Sequence, residues 1–88
     1  MERAQLRAAL FDALQAASVP EAFEEDLRRS FLDEGKDFAL SELEMDSLAS
    51  MEFCIALELS LGITLLPQRL HKLGSTDAIE RFVAEKLA

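Results

Sequence analysis

The segment from Ser47 to Leu61 constrains this chain more than any other. Leu48, Met51, Phe53, Cys54, Ile55, Leu57 and Leu61 leave it little polar surface, and Gly62 follows as a stop. A helix that is apolar nearly all round belongs at the centre of a bundle, with other elements wrapped about it. The spacing predicts Met45, Ala49, Glu52, Ala56 and Ser60 as its outward positions. Three Gly, two Pro, no Tyr and no Trp, with abundant Ala, Leu and Glu, favour helix everywhere else. No stretch alternates apolar and polar residues well enough to make a strand.

Four further elements surround that segment. Leu6, Ala9, Leu10, Ala13, Leu14 and Ala17 form an apolar stripe, predicting a first helix over about Glu2 to Ala17 that Val19-Pro20 interrupts. A second helix is predicted from about Pro20 to Glu34. Ser18 and Glu21 have capping-box spacing, Gly35 suits a left-handed stop, and Phe23, Leu27 and Phe31 repeat every four residues. Phe38, Leu40 and Leu43 keep an irregular apolar loop open as the alternative for residues 20–34. After an apolar connector from Ile63 to Leu66, a short helix spans Pro67 to Leu73 and ends at Gly74. Ser75 caps a last helix to Leu87 with Ile79, Phe82, Val83 and Leu87 inward. The expected architecture is one all-α domain over residues 1–88, an up-and-down helical bundle.

The charge balance narrows the partners. Seventeen acids against nine bases give a net charge of −8, which disfavours nucleic acid and anionic membranes and suits partners with basic docking patches. The longest apolar run, Phe53 to Leu57, is far short of a bilayer span. The start Met-Glu-Arg-Ala-Gln does not lead into a signal-peptide core. Cys54 is the one cysteine, so an internal disulfide is ruled out and a cytoplasmic setting is expected.

Catalytic patterns are missing. His71 is the only histidine and sits between Arg69 and Lys72, the setting of a solvated or partly packed side chain. No Gly-x-Ser-x-Gly elbow or phosphate-cradling glycine loop occurs, and Glu24-Glu25-Asp26 reads as a solvated face. The chain is not expected to be an enzyme and has no expected metal site.

Asp46-Ser47-Leu48 opens the central segment. Asp and Ser are good N-cap residues, so this start needs no function by itself. Its context adds weight: Leu43-Glu44-Met45 before it, then Met51-Glu52, Ile55-Ala56-Leu57-Glu58, Leu61-Gly62-Ile63 and Pro67. From about Leu40 to Leu87 this pattern resembles the acyl carrier proteins, including the peptidyl and aryl carriers. Their Leu-Gly-x-Asp-Ser-Leu motif opens the second helix of a four-helix bundle. The resemblance implies a 4′-phosphopantetheine arm on Ser47, attached by a separate phosphopantetheinyl transferase from coenzyme A with magnesium. The arm's thiol would hold acyl or aminoacyl groups as thioesters, loaded by a ligase and passed to pathway synthases and transferases. Asp46 would help the transferase and its metal engage, Leu48 would be an inward anchor, and Glu52 and Glu58 match acidic recognition positions. Glu44, Met45, Ile55 and Ile63 join them as candidate partner contacts, although helical spacing favours a core position for Met51 and Ile55.

Four departures point to a specialised, stand-alone and monomeric carrier. Glu44 stands where the family motif usually has Gly, and Ser41 with Glu44 forms a capping-box pattern that allows a helical path there. Ala49, Leu59 and Ser60 stand where fatty-acid carriers tend to have carboxylates. Residues 21–46 carry ten acids and three bases, a net −7 of the total −8. The segment before the motif is also long, with room for an extra helix. Fatty-acid-like, polyketide, aryl-polyene and aminoacyl pathways all remain open, as does whether the bundle shelters its cargo. The competing readings are an unmodified acidic adaptor with a carrier-like fold, or a subunit using Phe23, Leu27 and Phe31 as its interface.

Overall fold

The first helix, α1 (Arg3–Ala16), buries Leu6, Leu10, Phe11, Ala13 and Leu14 along one side. The structure, a computed structural model, describes residues 2–88. α1 closes in a Schellman turn: the Ser18 N–H donates to Gln15 O at 3.0 Å and the Val19 N–H to Leu14 O at 3.1 Å. Ser18 takes the left-handed position at φ 57° that glycine normally fills. It therefore ends one helix and does not cap another, which corrects the capping-box reading of Ser18 and Glu21.

The expected helix over 20–34 is divided. Pro20–Phe23 form a 3-10 turn, Glu24 is extended, and α2 covers Glu25–Leu32. The break rotates Phe23 out of register with its neighbours. It is 65% exposed, while Leu27 and Phe31 are buried. The three phenylalanine and leucine positions thus do not form one interface stripe.

Residues 33–46 are mostly irregular, with a short 3-10 turn at Leu40–Glu42. That turn stops before Glu44, so the Ser41/Glu44 capping box does not form; Glu42 instead accepts the Ala39 N–H at 3.2 Å. The segment is held by the later helices. Leu40 N–H donates to Gly74 O and Thr76 N–H to Phe38 O, both at 2.9 Å. Asp37 accepts the Asp77 N–H at 2.9 Å and the Thr76 hydroxyl at 3.2 Å. The backbone hydrogen bond from Asp77, with help from Thr76, Ser75 and Arg7 and against some desolvation, holds the Asp37 carboxyl below its ordinary 3.8.

The remaining helices match the sequence closely. α3 spans Ser47–Leu61 and stops at Gly62 in the left-handed region. α4 spans Pro67–Leu73 and α5 spans Thr76–Leu87, the latter capped by Ser75, which accepts the Ala78 N–H at 3.2 Å. α1 packs against α2, α3 and α5, and α4 bridges α3 and α5. Phe31, Phe53, Leu57, Leu70, Ile79 and Val83 are fully enclosed in one core cluster. The chain is all-helical among the described residues, with five α-helices.

Two charged side chains lie inside, Arg7 and Glu80. Arg7 donates to the carbonyls of Phe31 at 3.2 Å and Lys36 at 3.1 Å, and it pairs with Asp77. Its Nε lies 3.1 Å from Glu80 Oε1, out of line for a hydrogen bond, and the guanidinium is 4.4 Å from the Phe31 ring centroid. Arg3 donates to the same Glu80 at 3.1 Å. The cluster ties α1, the end of α2, the loop after it and α5 at a single point.

Candidate functional site

Asp46 is the N-cap of α3, and its carboxylate accepts the Ala49 N–H at 2.8 Å. Ser47 is consequently the first helical residue and is exposed. The amides of a first turn have no intrahelical partners and, with the helix dipole, favour an anion at that end. Glu44 N–H donates to Glu21 Oε1 at 3.0 Å, tying the motif to the Pro20–Phe23 turn. Ser18 is the sole described non-glycine with positive φ, so the turn at Glu44 has no need of glycine.

A cleft of about 650 Å³ opens next to the motif, between Ala17, Ser18 and Pro20 on one wall and Asp46, Leu48, Ala49 and Glu52 on the other; Ser47 itself does not line it. Met45 is half-buried at its edge; Glu44 and Glu58 are exposed. The motif, Met45 and Glu52 are therefore brought together, whereas Glu58 lies further along α3.

Two expected site residues change roles. Leu48 is 62% exposed and is not an inward anchor. Ile63 is 5% exposed and belongs to the core, so it offers no partner contact. The outward face of α3 also differs from the prediction: Ala49 is buried, while Leu48, Met51, Ile55 and Leu59 form an exposed stripe. The reason is geometric. At 100° per residue, these four share one face, opposite Leu57, and both faces are apolar. Periodicity cannot choose between two apolar faces. Ala49 and Ala56 decide it, because small side chains let α1 approach closely on their side.

Two groups elsewhere have ordinary explanations. Ser50 is fully buried, and its hydroxyl lies 3.2 Å from His71 Nε2, joining α3 to α4. The contact satisfies a buried hydroxyl, and burial keeps Ser50 from any substrate. Cys54 is also enclosed, and desolvation pushes its thiol above its ordinary value, away from a reactive thiolate.

No protein-family model, curated protein or solved structure matches the chain. The arrangement at Ser47 must be judged on its own chemistry. No described helix is long and apolar enough to cross a membrane. Leu59 and Leu66 are surface groups, 83% and 59% exposed; what sequence reasoning overlooked is the part of Ala17, Ser18 and Pro20 in walling the cleft. The latter signal was present in the Val19-Pro20 break, which returns the chain toward the start of α3.

Proposed function

We propose that this chain is an acyl or aminoacyl carrier bearing a 4′-phosphopantetheine arm on Ser47. The observation that carries the reading is Ser47 itself, exposed at the first position of α3 behind a capping Asp46. A phosphodiester formed there would face the free amides and positive end of a helix, which stabilise an anion. Asp46 uses one carboxylate oxygen to cap the helix, and its charge stands ready for the transferase's metal. The mixed cleft beside Ser47 has the size and polarity to receive an amide-bearing chain.

Attachment is the transferase's chemistry. The Ser47 Oγ–P bond forms as the diphosphate P–O bond of coenzyme A breaks, adenosine 3′,5′-bisphosphate leaves, and the transferase takes the hydroxyl proton. Under this reading the transferase, not the chain, activates the Ser47 hydroxyl. Partner enzymes would dock on Leu48, Met51 and Ile55 with Glu44, Glu52 and Glu58 around them, a surface of apolar contact with an acidic border.

Intact mass before and after incubation with coenzyme A, magnesium and a broad-specificity phosphopantetheinyl transferase tests the reading. One added phosphopantetheine is expected on the native chain and none on Ser47→Ala. No gain on folded protein with several transferases would favour the unmodified adaptor.

A further inference from the structure

We propose, resting on the carrier reading of Ser47, that the loaded group is an alkyl acyl chain held along the outer seam between α1 and α3, not inside the bundle. The two helices run antiparallel, and their boundary contains two clefts in sequence. The first, beside Ser47, mixes polar Ser18, Asp46 and Glu52 with apolar Leu48. The second, about 470 Å³, lies toward the other end of α3 and is walled by Ala9, Ala13 and Ala16 of α1 with Ala56, Leu59 and Leu61 of α3. Only Asp12 and Ser60 bring polar side chains to it.

The order of polarity along the seam matches the order of chemistry along a loaded arm. Amides and hydroxyls come first and the acyl group last. Distances agree as well. Along the helix, Ala56 lies about 14 Å and Leu59 about 18 Å from Ser47, at 1.5 Å per residue. The arm from phosphorus to sulfur has the covalent length of four to five extended residues, about 15 Å. Measured along the axis alone, the arm spans the distance to the near edge of the second cleft. The interior offers no comparable path, because Phe53, Leu57, Leu70, Ile79 and Val83 are already closed together at the density of a packed core. The walls of the second cleft are mostly apolar, which favours an alkyl chain over a polar group.

The test uses the whole chain labelled with nitrogen-15 and loaded by a broad-specificity transferase from octanoyl- or acetyl-coenzyme A. Amide shifts of the octanoyl form should differ from those of the acetyl form at Ala9, Asp12, Ala16 and Leu59 to Leu61. Ala16→Phe fills the cleft from an exposed position; it should accept the arm equally well and lose those differences. Differences centred on Leu57, Leu70, Ile79 and Val83 would overturn the seam in favour of internal shelter. Equal spectra for the two forms would overturn it in favour of a solvent-borne cargo. Absence of any mass gain at Ser47 is a separate result that removes the carrier reading itself.

Discussion

α1 makes two junctions of opposite character. Toward α5 and the end of α2 it is joined by Arg7, whose side chain is 3% exposed and meets Asp77, Glu80 and two backbone carbonyls. Toward α3 its contact is the most extensive in the bundle, but alanines line the outer edge of that contact and leave clefts along the boundary. The first junction is closed and directional. The second is non-directional and leaves apolar surface uncovered. Leu48, Met51, Ile55 and Leu59 forgo burial that would contribute about 1.5–3 kcal/mol each if complete. A chain of this size has little stability to forgo, and the uncovered face is the one proposed above as a partner contact.

Breaking the closed junction should have the largest effect on folding. Arg7→Ala leaves the Phe31 and Lys36 carbonyls without their donor and Glu80, itself 8% exposed, with Arg3 alone, and should destabilise the chain by about 2–3 kcal/mol in urea denaturation. A loss below about 1 kcal/mol would show that the charged cluster is no clamp. Acid should act on the same side of the molecule. Asp37 has a lower pKa folded than unfolded, so its stabilisation is full above the ordinary carboxylate range. It is withdrawn as pH falls through that range to the folded value. Asp37→Asn should therefore lower the thermal midpoint at neutral pH and flatten its decline in acid. Parallel pH curves for the two proteins would contradict this assignment.

The open junction should tolerate change. Ser18→Gly relieves a left-handed backbone at the end of α1 and should stabilise the chain by about 0.5–1 kcal/mol, read as a raised denaturation midpoint. The smallest stability effect is expected on the exposed face of α3. Leu59→Ser should stay within about 0.5 kcal/mol of the native chain while reducing octanoyl-dependent shifts at Ala9 and Ala16. A large loss of stability would mean that Leu59 is covered in solution.

The readable parts of the fold were those written in local chemistry. α3 and α4 were legible to the residue because Asp46, Gly62, Pro67 and Gly74 each mark an end by their own backbone or side-chain preferences. Ser47 was legible for the same reason, as the residue after a capping aspartate. Ser18 misled because a serine before a proline turn looks like a cap, and only the hydrogen bonds to Leu14 and Gln15 show it closing the preceding helix. Arg7 carried no local mark, since its partners lie 24 to 73 positions away, from Phe31 to Glu80.

Sequence alone determined that the chain is helical, where its later helices start and stop, and that a serine stands at the head of the most apolar one. Those properties follow from propensities and caps within a few residues. Tertiary structure decided which apolar face of α3 is covered, turned Leu48 outward and Ile63 inward, and opened the seam beside Ser47. Such choices depend on how closely two helices approach. That distance is set by alanines on both partners at once, which no single stretch of sequence contains.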